Sequence, residues 1–229
     1  MKPLRLALLI IAAAALATIA IIFVAPSPVT LRNTPPPWVV KHDEYHWQIL
    51  GWSLEATTPA EVGARLGSDI QWAIVRHPGE PFALEGWLPD FAAQGITGKL
   101  LLHFALPEPL QKAAAGLATS AVRSLPSGGV SREFDPLRTD PSWATGPRLA
   151  QVAFIPGATL DEPTLTARFA SLGTPQRWVD GAGDTHLLYA LTCPAPCAPL
   201  GVHLVIPAER GGVLIEYAPY ERLRKVATP

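Results

Sequence analysis

The sequence predicts an α+β fold: an N-terminal transmembrane helix followed by two related small units, each a short helix packed on an antiparallel sheet. Three observations lead to this prediction. The chain begins with a long uncharged apolar run. Two helix starts with good capping residues each precede segments rich in aromatic and aliphatic residues. Finally, 25 of the 229 residues are proline and 18 are glycine, which favours short elements joined by turns.

The apolar run covers residues 6–25 and follows two basic residues, Lys2 and Arg5. A helix of that length spans about 30 Å, the thickness of a bilayer's hydrocarbon core. The run is longer than the ~7–15 residues of a cleavable signal core, so we predict an uncleaved signal-anchor over residues 1–25. The side chains expected to contact membrane lipid include Leu6, Ile10, Ile21 and Phe23.

The charges before this run predict where the rest of the chain lies. Basic residues on the N-terminal side favour a cytoplasmic N-terminus. The sequence therefore predicts a single-pass inner-membrane protein with a periplasmic body. The body is predicted to divide into a Pro-rich linker (26–46), a first α+β unit (47–126), a connector rich in turn-forming residues (127–150) and a second α+β unit (151–229).

In the first unit, Thr58, Pro59 and Glu61 form the pattern of a capping box and begin a helix that Gly67 ends. Strands are then expected at residues 70–76, 82–87 and 99–106. Pro107 ends the last of these strands and begins an alanine-rich helix, predicted to run to about residue 125.

The second unit repeats this order, because residues 164–169 resemble residues 61–66 in their shared Ala-Arg pair. Asp161 caps a helix that runs to Gly173. Two hairpins follow, the first around residues 180–184 and the second around residues 209–211. A chance match over so short a segment remains the alternative to a true repeat.

Charge and motifs exclude several classes of function. The net charge is −1 and the basic residues are not clustered, so we expect no nucleic-acid partner. The run Gly181-Ala182-Gly183 lacks the third glycine and the following helix of a dinucleotide loop. We expect no cofactor.

Cys193 and Cys197 are the chain's two cysteines, separated by three residues that include two prolines. We predict a structural disulfide, as in proteins that fold in an oxidising compartment. The alternatives are a redox pair or half of a metal site. Redox enzymes favour two intervening residues at a helix N-terminus, which this segment does not provide.

Histidines offer two weaker candidate sites. His42 and His46 are four residues apart and would share one face of a helix, as metal ligands do, but a solvated polar stretch is the simpler interpretation. Asp184, His186 and His203 could cluster on one face of a sheet. A serine hydrolase would need a Gly-x-Ser-x-Gly elbow or an equivalent, and the chain contains none.

Two of the seven tryptophans, Trp87 and Trp143, are candidate interaction residues. An exposed tryptophan is a typical anchor of a protein-binding surface. Packing in the core is the alternative for each of them.

The second half resembles the small lipoprotein subunit of the outer-membrane β-barrel assembly machinery, of the SmpA/OmlA type. The resemblance rests on Gly157-Ala158-Thr159 before a helix, Leu172-Gly173-Thr174-Pro175 at its end, and the aromatic strand at 186–189. It covers about 60 residues, and the lipidated cysteine of those proteins is missing. The resemblance implies scaffolding in the cell envelope.

Together these observations predict a non-enzymatic binding or assembly module that contacts an envelope protein. A periplasmic hydrolase, a thiol-redox enzyme and a small-ligand or lipid carrier remain the alternatives.

Overall fold

The computed structural model describes residues 29–30, 34–117, 122–125, 128–209 and 211–226. In this part of the chain two sheets dominate, a largely antiparallel one of eleven strands and an antiparallel one of three. The described α-helices are only five to ten residues long. The fold is therefore mostly β, and the predicted α+β class is wrong.

The strands and helices are numbered in chain order. The strands are β1 (Val29–Thr30), β2 (Val40–His42), β3 (Trp47–Ile49), β4 (Trp52–Ser53), β5 (Gln71–Arg76), β6 (Ala83–Ala93), β7 (Ile96–Ala105), β8 (Arg123–Ser124), β9 (Val130–Glu133), β10 (Arg148–Pro156), β11 (Gln176–Val179), β12 (Thr185–Leu191), β13 (Leu200–Ile206) and β14 (Leu214–Pro219). The helices are α1 (Pro59–Leu66), α2 (Glu108–Leu117), α3 (Pro141–Thr145), α4 (Glu162–Arg168) and α5 (Tyr220–Val226).

The large sheet is continuous across both predicted units. Its strand order is β11-β12-β13-β14-β10-β7-β6-β5-β9-β8, and β1 lies parallel to β6 beside this path. Strands β7 and β10 join the two halves and pair antiparallel from Arg148 opposite Ala105 to Pro156 opposite Gly98. Strand β9, from the predicted connector, extends the same sheet by pairing with β5.

One face of the large sheet forms the main core. Successive side chains of a strand point to opposite faces, so alternate positions of each strand are buried together. The largest fully buried side chains include Trp52, Tyr189, Tyr217, Phe91, Phe104, Phe154 and Phe169. Each contributes about 1.5–3 kcal/mol by burial. The opposite face, here called the second face, carries the half-buried and polar residues discussed below.

The predicted helix starts are confirmed. Thr58 accepts a hydrogen bond from the Glu61 backbone N–H, and the Glu61 carboxylate accepts one from the Thr58 backbone N–H, at 3.3 and 2.7 Å. Asp161 caps α4 through the Thr164 N–H at 2.9 Å. The alanine-rich helix was predicted to run too far, because Arg123–Ser124 form strand β8.

The described part of the predicted linker packs on the body. The Tyr217 hydroxyl, fully buried, donates a hydrogen bond to the Pro37 carbonyl. The guanidinium of Arg168 lies 4.2 Å from the centre of the Trp38 ring. These contacts hold residues 34–42 across the core face.

The predicted transmembrane helix of residues 1–25, including Leu6, Ile10, Ile21 and Phe23, lies outside the described residues. Within the part of the chain that the structure describes, no helix has the length and apolar character needed to cross a membrane. The predicted location, single-pass in the inner membrane with a periplasmic body, is therefore unsupported and is not carried further.

Candidate functional site

The cysteine pair forms a disulfide in the loop between β12 and β13. The Cys193 and Cys197 sulfurs are bonded at 1.97 Å, as predicted. Cys197 is buried. The next carbonyl, that of Ala198, accepts a hydrogen bond from the Trp47 indole at 2.7 Å. This hydrogen bond attaches the disulfide loop to β3 of the small sheet. The arrangement fits a structural disulfide.

His42 and His46 lie at a hairpin turn and so do not share a helical face. The Asp43 carboxylate accepts hydrogen bonds from the Tyr45 and His46 backbone N–H groups at 2.9 and 2.8 Å, which closes the turn. The His42 ring stands edge-on to the Trp47 ring. Among the described residues, no three His, Cys, Asp or Glu side chains are arranged to hold a metal ion.

The two candidate tryptophans have different surroundings. Trp143 is 6% exposed, and its ring centre lies 4.6 Å from that of Phe134, so it belongs to the core. Trp87 is half-buried on the second face, opposite Leu101 of β7 and Gln71 of β5. Only Trp87 is therefore placed to contact a partner.

Two histidines meet on the second face. His186 on β12 and His203 on β13 place Nδ1 and Nε2 3.0 Å apart. The Asp180 carboxylate lies 3.1 Å from His186 Nε2. Asp184, which the sequence placed beside the histidines, instead accepts a hydrogen bond from the Ala208 N–H at 2.9 Å. The structure thus brings together the two predicted histidines with a different aspartate.

The chain of contacts continues through two further strands. His203 Nδ1 lies 3.3 Å from the Glu216 carboxylate of β14. The other Glu216 oxygen accepts a hydrogen bond from the Gln151 amide of β10. The Gln151 side-chain oxygen is buried, and no described residue forms a hydrogen bond with it. We call Asp180, His186, His203 and Glu216 the histidine cluster.

Trp178 lies flat over both imidazoles. It pairs directly with His186 in the β11–β12 register, so the two side chains lie on the same face. Its ring centre is 4.8 Å from that of His186 and 5.6 Å from that of His203, with interplanar angles of 9° and 10°. The indole therefore covers one side of the histidine pair.

Electrostatics within the cluster favour an ionised Asp180. The hydrogen bond from His186 lowers the pKa of the Asp180 carboxyl, and the Asp184 and Ala182 N–H groups add to the effect. The imidazole side chains are largely shielded from water, with 13% exposure for His186 and 4% for His203. The cluster thus places an ionised Asp180 beside two imidazoles that are largely shielded from water.

A second polar group lies further along the same face. His103 of β7 is opposite Gln151 in the register and places Nδ1 3.2 Å from the Glu85 carboxylate of β6. His77, in the β5–β6 turn, lies 3.8 Å from the same Glu85 oxygen. Polar side chains therefore extend across the second face from β12 to β6.

Beside Glu85 the second face opens into a groove of about 1210 Å³. Its floor consists of strand side chains from β5, β6 and β7, and its far wall comes from β8, β9 and the residues that follow β9. The residues that line it include Gln71, Ala73, Val75, Glu85, Trp87, Leu101, Arg123, Ser131, Arg132, Glu133 and Asp135. The groove combines an apolar floor with walls that carry charges of both signs.

Sequence reasoning missed Asp180, Glu216, Gln151 and Trp178 as parts of a site. Trp178 had a usable signal, because residues paired symmetrically about a hairpin turn are cross-strand neighbours. Trp178 and His186 are equidistant from the turn at 180–184. Glu216 had none, because symmetry about the predicted turn at 209–211 is one residue out of the register that pairs it with His203. Gln151 had no such signal, since β10 joins β14 over a long separation.

No protein-family model matches the chain, and neither a curated protein nor a solved structure is significantly similar to it.

Proposed function

We propose that this chain is a non-enzymatic binding protein that holds an extended segment of a partner protein in the groove of the second face, with Trp87 as the central contact. The observation that carries the proposal is the half-buried Trp87 in the floor of an open groove of about 1210 Å³. Interface hot spots are enriched in tryptophan, and they favour desolvated positions near the centre of the contact.

The dimensions of the groove favour a polypeptide. The floor strands β5, β6 and β7 and the wall strand β9 are four adjacent strands of the sheet, which together are roughly 14 Å wide at the usual strand spacing. An extended partner segment, with side chains that point to both sides, fits a groove of this width. The apolar floor at Ala73, Val75 and Leu101 suits alternate apolar side chains of that segment.

Charge in the groove also favours a protein. Arg123 on the far wall is accompanied by Glu85, Glu133 and Asp135. Carboxylates at the floor and wall would repel a phosphate backbone, whereas a polypeptide can present charges of both signs. The resemblance of the second half to an envelope assembly subunit supports an envelope protein as the partner.

Photo-cross-linking tests this proposal. A photoreactive residue replaces Gln71, which is exposed at the groove, and a control replaces Thr166, which is exposed on α4. We expect position 71 to capture a recurrent protein, with the cross-link confined to one segment of it and lost in Trp87→Ala. Identical products from both positions, or products that Trp87→Ala leaves unchanged, would refute binding in the groove.

A further inference from the structure

Ala73 lies between two carboxylates of the groove. It is opposite Glu85 in the β5–β6 register and opposite Glu133 in the β5–β9 register. Directly paired residues lie on the same face of a sheet, with Cβ atoms about 5 Å apart. All three residues line the groove. The short alanine side chain therefore leaves an open position with a carboxylate-bearing side chain on either side.

One oxygen of Glu85 is left for a partner at this position. His103 Nδ1 and His77 Nε2 both lie near the Oε1 atom of Glu85, at 3.2 and 3.8 Å. Within the described part of the chain, no side chain forms a hydrogen bond or an ion pair with its Oε2 atom. The Glu85 side chain is only 16% exposed. A charged donor that reaches it from the groove therefore meets a carboxylate that is little screened by water.

The second carboxylate, Glu133, is exposed, and its side chain forms no ion pair with another described residue. The cations of the same wall are placed elsewhere. Arg132 donates a hydrogen bond to the Leu117 carbonyl at the end of α2. Arg123 is opposite Ser131, one residue pair further along β9. The position over Ala73 thus has a carboxylate on each side and no cation of the described residues between them.

Trp87 is within reach of the same position. It is two residues from Glu85 along β6, so the two side chains lie on the same face. Its direct partner on β5 is Gln71, which makes Ala73 its diagonal neighbour. Diagonal neighbours are about 7–8 Å apart, within reach of aromatic and long side chains. The face of an indole attracts an arginine or lysine side chain.

We propose that the partner segment in the groove presents a basic side chain, arginine or lysine, over Ala73. Its cationic group lies between Glu85 and Glu133, and its stem packs against Trp87. This inference rests on the proposed function, and it adds the chemistry of the central residue of the segment. In an extended segment, the residues two positions before and after the basic residue point to the same floor.

NMR titration with two peptides tests the inference. The probe is acetyl-Thr-Val-Thr-Arg-Thr-Val-Thr-amide, in which the arginine and both valines lie on one side of the extended chain. The reference peptide has citrulline in place of arginine, which keeps the shape and removes the charge. We expect the arginine peptide to shift the signals of the Trp87 indole N–H and the Ala73 amide. Its affinity should be at least about threefold higher than that of the citrulline peptide.

Two results would overturn the inference, and they differ in what they say about the groove. If both peptides shift the Trp87 signal with equal affinity, the preference for a basic residue is wrong, while binding in the groove stands. If neither peptide shifts the Trp87 signal, the inference is wrong and the result also counts against the groove as a binding site.

A carboxylate variant tests the source of the preference. Glu133→Gln should weaken binding of the arginine peptide by about threefold and leave the affinity for the citrulline peptide unchanged. Glu44→Gln is the matched control, because Glu44 is an exposed carboxylate in the turn between β2 and β3. It should bind both peptides like the natural chain. An equal loss in the two variants would indicate attraction by the net charge alone and would overturn a specific position over Ala73.

Discussion

His186 and His203 meet edge to edge on adjacent strands. Their ring planes are 15° apart, and their centres are separated by 5.2 Å while the facing nitrogens are only 3.0 Å apart. The hydrogen bond therefore lies close to the plane of both rings, and Trp178 can cover both at once. This one contact joins β12 to β13 through side chains.

The first prediction concerns the stability that ionised Asp180 contributes and its loss at low pH. The hydrogen bond from His186 lowers the Asp180 pKa below its ordinary value of 3.8, so the unfolded state binds a proton before the folded state does. The stability contributed by ionised Asp180 is present above pH 3.8 and is lost as the pH falls through the lower folded value. Urea unfolding at a series of pH values from 7 to 2 gives the free energy of unfolding of Asp180→Asn and of the natural chain. At pH 7 the variant should have the lower value. Equal stabilities at pH 7 would contradict this pairing.

The second prediction concerns the aromatic cover of the histidine pair. The Trp178 ring lies nearly parallel to both imidazoles, with ring centres 4.8 and 5.6 Å away. Trp178→Leu removes this cover and should cost about 1–3 kcal/mol of unfolding free energy at pH 7. Chemical denaturation of the variant and the natural chain measures the difference. Equal stability of the two proteins would contradict a contribution from the stacked indole.

The third prediction separates a structural disulfide from a redox centre. Replacing Cys193 and Cys197 by serine should lower the unfolding free energy by about 2 kcal/mol, because the loop closed by the bond is short. Cross-linking from position 71 should be unaffected. A thiol-redox enzyme would instead lose disulfide reductase activity in this variant, so activity in the natural chain that vanishes with the cysteines would refute the structural role.

The fourth prediction concerns α1. Thr58→Ala removes the side-chain oxygen that accepts the Glu61 N–H and should cost about 1 kcal/mol in chemical denaturation. Thr58→Ser keeps that oxygen and is the control. If Ala and Ser were equally stable at this position, the capping box would contribute nothing.

Local patterns predicted much of this fold and far less of the site. The caps at Thr58 and Asp161 and the hairpins around residues 180–184 and 209–211 depend on nearby residues, and the structure contains them. The pairing of β7 with β10 is a long-range contact that periodicity does not encode. The two predicted units therefore share one sheet, which the sequence pattern did not indicate.

In the candidate site, too, contacts across a nearby turn were predictable from the sequence and more distant contacts were not. Turn symmetry places Trp178 beside His186. It does not place His203 beside Glu216, because the register of that pair is one residue out of symmetry with the predicted turn at 209–211. The contact between the two histidines depends on the β12–β13 register across the disulfide loop, in which His203 lies opposite Leu188. A shift of one residue in that register would turn one imidazole to the other face. Composition around either histidine carries no information on that register.

The central claim is that Trp87 anchors a partner segment in the groove. The measurement that tests it most directly is calorimetric titration of the natural chain, Trp87→Ala and the control Thr166→Ala with a synthetic peptide of the segment cross-linked from position 71. We predict that the control binds like the natural chain, whereas Trp87→Ala binds at least about 30-fold more weakly, as expected for a hot spot worth about 2 kcal/mol or more. Equal affinity of all three proteins would contradict the claim.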